Sequence, residues 1–390
     1  MAMIEDLLER ADEFVTIRRD IHQHPELGFK EHRTSDLVAE ALLSYGYKVE
    51  RGIGGTGVVG QLRRGTGSKS VGFRADMDAL PIVEETGRSY ASSHHGVMHA
   101  CGHDGHTAML LAAAKYLAEK GHFDGTLNLI FQPAEEGLGG ATRMLADGLF
   151  TKYPCDAIFA THNAPGVPVG MLAFRHGPTM ASSDRVEITV QGVGGHGAMP
   201  HRAQDPIVAA ASIVMALQTI VSRNTDPMQM AVITVGVLQA GTANNVIPGT
   251  AYMELTVRSL DPEVRNMLEK RITDLVHAQA ESFGVKAEVV YKRGYAVLVN
   301  TREETDFARQ VALDLFGPSK VVTDVPAVSG SEDFAFMLEA RPGCYFFIGN
   351  GFGEAGNICM VHNPEYDFND HNVAVGSAFW VGLAEKYLSA

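Results

Sequence analysis

Cysteine is scarce in this chain: four in 390 residues, at 101, 155, 344 and 359, with no CxxC and no regular spacing. That excludes a disulfide-stapled scaffold. It fits a reducing, cytoplasmic setting, in which a special cysteine is a ligand or nucleophile rather than half of a bridge. Basic charge is also short. Lys and Arg number 32 against 46 Asp and Glu, a formal net charge of −14, which argues against nucleic acid as a partner. The start, Met1-Ala-Met-Ile-Glu-Asp-Leu-Leu-Glu-Arg10, lacks the basic opening and apolar stretch of a signal peptide. The longest apolar region, Ile207 to Val221, is broken by Ser212 and Gln218 and is short for a bilayer span, so no membrane is expected. No G-x-S-x-G elbow and no H-E-x-x-H occur, which removes common serine-hydrolase and zincin signatures. Gly52 to Gly57 matches G-x-G-x-x-G, but it runs into Val58-Val-Gly-Gln-Leu62, a strand-like run where a dinucleotide site needs a helix.

What is present supports a sizeable core: 45% of residues are apolar and 20% charged. The length suggests about two domains. Helices are expected over 3–22, 34–45 and 104–119, with short apolar strands at Ser70–Arg74, Thr126–Gln132 and Ala157–Thr161. That alternation predicts an α/β layer with a mostly parallel central sheet. The middle of the chain changes character. Arg185–Val193 alternates with period two, Pro206–Arg223 reads as a helix opened by Asp205, and Met230–Ala240 and Thr250–Leu260 alternate again. A helix from Pro262 to Phe283 and a strand at Val285–Arg293 complete a β-α-β-β-α-β order, the ferredoxin-like motif. Beyond Val297 the α/β pattern returns, with a helix near 303–315, another N-capped at Ser331, a strand at Cys344–Gly349 and a helix from Asn372 to Leu388. The expected architecture is one α/β domain, 1–182 and 297–390, split by an α+β domain at 183–296.

Histidine, in contrast, is abundant at 16. The run His94-His-Gly-Val-Met-His-Ala-Cys101-Gly-His103-Asp-Gly-His106 packs five histidines, a cysteine and an aspartate into 13 residues before a helix. Clustered imidazoles repel when charged and are costly to desolvate, so they imply a purpose. Phe131-Gln-Pro-Ala-Glu135-Glu136-Gly137 ends an apolar strand, where α/β sheets gather ligands. Its adjacent carboxylates need a cation or a shared proton. Phe159-Ala-Thr-His162-Asn163 and Met360-Val-His362-Asn-Pro-Glu-Tyr366 add two more histidines in polar company. Thiolate, imidazole and carboxylate together suit zinc, and also manganese, cobalt or nickel. Asp76 and Asp78, after another short strand, are natural carboxylates to orient ligating histidines.

These segments occur in order with Arg18-Arg-Asp-Ile-His-Gln-His-Pro25-Glu, Gly195-His196-Gly-Ala-Met-Pro-His201 and Asn245-Val-Ile-Pro. Together they closely resemble the M20 metallopeptidase family, in its amidohydrolase branch of N-acyl-amino-acid, hippurate and auxin-conjugate hydrolases. The resemblance spans nearly the whole chain. It implies a split catalytic domain with an inserted lid and dimerisation domain, and two divalent metal ions held by Cys101, His103, Glu136, His162 and His362, with Cys101 as bridge. Where the wider family has a His-x-Asp ligand pair, this sequence reads Asp76-Met-Asp78. The resemblance further implies hydrolysis of N-acyl-L-amino acids by a metal-bound water, with Glu135 as general base and then acid. A dipeptidase or N-acetyldiaminopimelate deacetylase would use the same centre, and a non-catalytic metal-dependent binding protein is the reading from another class. His196 matches the family's oxyanion-stabilising histidine. Asn245 and Arg258 are candidate substrate contacts, the latter through the substrate's carboxylate. A homodimer or higher oligomer through the inserted domain is expected.

Overall fold

The computed structural model describes residues 2–352 and 356–389. They fall into two compact units: residues 1–177, 299–326 and 336–390 in one, and 178–298 with 327–335 in the other.

The first unit is built on an eight-stranded sheet. Across it the order is 48–53, 57–64, 125–132, 70–76, 157–165, 343–351, 172–174 and 321–323. The pairs joining 125–132, 70–76, 157–165 and 343–351 are all parallel, as is the pair of 172–174 with 321–323. The central strands are buried on both faces, Ser70–Asp76 along its whole length, which is why their sequences read as unbroken apolar runs. Helices His103–Glu119 and His371–Tyr387 bury most of their residues, Trp380 among them, beside Phe73, Phe159 and Phe346 of the main core. The helix expected over 3–22 is two, Ala2–Glu9 and Ala11–Gln23. The glycines at 52 and 54 take positive φ (+81° and +71°) in a hairpin between Lys48–Ile53 and Gly57–Arg64, so the G-x-G-x-x-G match is a turn.

In the second unit the four-stranded sheet runs 231–240, 250–259, 184–191, 286–293, antiparallel throughout. Helices Pro206–Thr219 and Pro262–Ser282 cover one face, each opened by an aspartate that accepts a backbone N–H. This is the ferredoxin-like order. Pro206–Thr219 continues through a π-turn to Asn224, giving 19 residues long and apolar enough to match a membrane span. Its Ala209, Ala210, Ile213, Leu217 and Ile220, however, lie in the core of this unit. The cap expected at Ser331 is made by Glu332, which accepts the Phe334 N–H at 3.0 Å.

Candidate metal centre

Three parallel strands deliver the site from their carboxyl ends: Ser70–Asp76 leads to Asp76 and Asp78, Gly125–Gln132 to Glu135 and Glu136, and Ala157–Pro165 carries His162. Helix His103–Glu119 contributes its first residue, and its N-terminus favours negative charge nearby. Of the ligand-type groups brought together, two share one sulfur. The ligand atoms of Cys101, His103 and His162 lie within 4.8 Å of one another, and so do those of Cys101, Glu136 and His362.

Hydrogen bonds engage Nδ1 of both His103 and His162. His103 donates through Nδ1 to the Asp78 carbonyl at 2.9 Å, with Asp78 Oδ1 at 3.2 Å. His162 donates through Nδ1 to the Asn163 carbonyl at 2.7 Å, which leaves Nε2 3.2 Å from Cys101 Sγ. Such partners fix the tautomer that ligation needs. His362 takes a left-handed backbone, φ +68°, and its N–H donates to the Ala100 carbonyl at 2.7 Å. That bond holds the strained residue beside Cys101.

Asp76 is engaged otherwise. Arg74 donates to its Oδ2 and His106 to its Oδ1, both at 2.6 Å. His106 Nε2 in turn accepts the Asn163 N–H at 3.0 Å. Both nitrogens of His106 are therefore used, and it holds Asp76 rather than offering a lone pair. Asp78 Oδ2 accepts the Glu136 N–H at 2.9 Å, which ties the carboxylate turn to His103.

The donor set fits a cation. His103 Nε2 is buried without a hydrogen bond among the described residues, 4.0 Å from Glu136 Oε1, which itself stands 3.2 Å from His362 Nε2. An orphan such as His103 Nε2 costs about 1–3 kcal/mol unless something satisfies it. Charges agree with that reading. Burial disfavours a charged His103, but Asp76, Asp78 and Glu136 outweigh it and push the imidazole up to about 10. The negative field that retains a proton there would equally draw in a metal ion. Burial, with Glu136, Glu135 and Asp76, drives the Cys101 thiol well above its ordinary value, a trend that a coordinated dication reverses. Burial and the neighbouring His106 and His103 keep His162 neutral, as a ligand must be.

The family model for peptidase family M20/M25/M40 matches residues 72–386. The chain belongs to this family. A hippurate hydrolase of Campylobacter jejuni is 45% identical over 388 residues, 100% of both chains. An N-acetyl-L-cysteine deacetylase of Bacillus subtilis is 38% identical, over 97% of this chain and 89% of the relative. Among solved structures, a dinuclear metal-binding M20 peptidase of Bacillus subtilis superposes with a TM-score of 0.85 at 32% identity, over 97% of this chain and 98% of that one. This M20 chain is a metal-dependent amidohydrolase.

The other expected residues of the M20 chain lie in the second unit. His196 is exposed on a two-stranded ribbon, opposite Val246. Its Nδ1 accepts the Ala198 N–H at 3.1 Å, so a neutral ring carries its proton on Nε2. Asn245 adjoins it, its carbonyl accepting the Gly197 N–H at 2.8 Å. Arg258 stands apart on strand Thr250–Ser259, its Nη1 donating to Thr256 Oγ1 at 2.6 Å and the Val257 carbonyl at 3.2 Å. Burial disfavours its charge, with Asp184 opposing.

Arg74, His106, Asn163 and Tyr366 stand in the same motifs and have supporting roles that the motifs alone do not reveal. Asn163 Nδ2 donates to the Cys101 carbonyl at 2.6 Å, and the Tyr366 hydroxyl donates to Asn163 Oδ1 at 2.7 Å. The signal for Arg74 was available: positions 74 and 76 of one strand share a face.

Proposed function

We propose that the chain hydrolyses the amide bond of N-acyl-L-amino acids, with Cys101, His103 and His162 holding one metal ion and Cys101, Glu136 and His362 the other. The observation that carries this is the shared Cys101 Sγ between two ligand groups. Zinc, manganese, cobalt and nickel all suit these donors. When bound, the ions supply Lewis acidity and a water of lowered pKa. Glu135, buried beside Glu136 and with a carboxylate oxygen within 4.8 Å of ligand atoms of His103 and Glu136, takes the proton of the attacking water and returns it to the leaving amine. The Nε2–H of His196 is the donor proposed for the tetrahedral oxyanion. Arg258 is the proposed fork for the substrate carboxylate, and Asn245 a further polar contact. Asp78 orients His103, and Asp76 is held by Arg74 and His106 beside it. The similarity to a hippurate hydrolase supports an aromatic acyl glycine as a first substrate to try.

Four free cysteines favour a reducing cytoplasm. Strand Ala231–Ala240 is an edge of the four-stranded sheet and exposes Leu238, and we propose that it pairs with a second copy.

The test is Glu135→Gln, assayed for metal content and for turnover on hippurate, N-acetyl amino acids and dipeptides. Metal is expected to stay while turnover falls at least about a hundredfold. Undiminished turnover would remove Glu135 from the mechanism.

A further inference from the structure

We propose that Glu31 is a positioning residue that aims Glu135 by fixing the left-handed backbone of Ala134; this rests on Glu135 being the base. The turn 133–137 presents two adjacent carboxylates that must point differently, one to a metal ion and one to a water. Direction is set at Ala134, whose φ is +52°. An L-residue with a Cβ does not hold that conformation unaided, so its surroundings must impose it.

The imposition is visible on both sides of the residue. The Ala134 N–H donates to Glu31 Oε1 at 2.8 Å, and its carbonyl accepts the Gly140 N–H at 3.0 Å. Gly140 can come this close only as glycine, because a Cβ there would lie 1.7 Å from the Pro133 carbonyl oxygen. Glu31 is itself held: it is fully buried, and Oε2 accepts the Thr56 hydroxyl at 2.5 Å.

Glu31 is not explained by its own helix. It is the N-cap residue of His32–Ser44, yet its side chain makes no cap. The carboxylate of Glu26 does that work instead, accepting from Arg33 N at 3.0 Å and Thr34 N at 2.9 Å. A buried carboxylate at a cap position, displaced from capping by a second glutamate, is spent on the Ala134 amide. The same segment also reaches the loop of Asp78. The Ala79 N–H donates to the Glu26 carbonyl at 2.8 Å, and a Cβ on Gly28 would come within 3.1 Å of Ala134 Cα. Residues 26–31 thus clamp the turn carrying Glu135 to the loop that orients His103.

The role depends on reach rather than charge, and two conservative variants separate them. Glu31→Gln keeps an acceptor at the same length, while Glu31→Asp keeps the charge and is one methylene too short. Steady-state kinetics and metal content are measured for both, with Glu135→Gln as reference. Glu31→Gln should keep kcat within about threefold, whereas Glu31→Asp should lose about tenfold or more in kcat with KM within about threefold and metal content unchanged. Adding Ala134→Gly to Glu31→Asp should recover kcat severalfold, since glycine adopts positive φ without strain. The proposal is overturned if both variants keep full kcat, if Glu31→Gln is impaired as much as Glu31→Asp, or if Glu31→Asp loses metal. A fully active Glu135→Gln would instead overturn the base assignment, a failure distinct from these.

Discussion

His22 donates through Nδ1 to Asp104 at 2.9 Å, and its Nε2 stands 3.2 Å from Glu84. Burial penalises its charged form, but Asp104 and Glu84 outweigh that and push it up to about 9. The completely buried His99 goes the other way, pulled by burial to about 4. For His22 the folded value lies above the unfolded one, so the stabilisation is fully present below about pH 6.5. It is lost as pH rises through about 9, and is worth about 3 kcal/mol. Urea unfolding at pH 6 and pH 10 should show the native chain losing that much more than His22→Gln; parallel losses in the two proteins would count against it. The excess of histidine was legible in the sequence, and so were the candidate ligand types. The roles of His22 and His106 were not, because their work is set by carboxylates 82 and 30 positions away in the chain.

Elements were legible where one physical pattern governs them. The strands of the inserted unit alternate in burial along their length, and their ends lie within about two residues of expectation. Strand Ala157–Pro165 outran its expected end at Thr161, because His162 and Asn163 are kept in the sheet by pairing with Phe347 and Ile348, not by hydrophobicity. The break at Arg10 was hidden because the apolar periodicity runs through it. Gly102, the joint between the Cys101 loop and helix His103–Glu119, stands in the histidine-rich motif for a tertiary reason. It has φ +86°, and a Cβ would lie 2.4 Å from Asn163 Nδ2 and 2.6 Å from the Tyr366 hydroxyl. Gly102→Ala should therefore cost about 2 kcal/mol or more and reduce metal content, read by thermal unfolding and elemental analysis. A variant with native stability and full metal would show that the joint yields freely.

For the whole molecule, the split architecture leaves the inserted sheet with an edge at Ala231–Ala240. If that edge joins two copies, Leu238→Lys should shift the mass measured by light scattering from dimer to monomer. A native chain that is already monomeric at micromolar concentration would refute the pairing. The strand order of the larger sheet also bears on how the protein is made. Gly343–Gly351 lies between Ala157–Pro165 and Leu172–Phe174, so an interior slot must wait for a segment nearly two hundred residues downstream. A chain emerging from the ribosome carries Cys101, His103 and His162 long before His362. The first proposed ligand group is complete in sequence early, and the second only near the end of synthesis. Pairing over such separations is slow. In a nascent or prematurely terminated chain the slot between Ala157–Pro165 and Leu172–Phe174 therefore stays unfilled until Gly343–Gly351 is made.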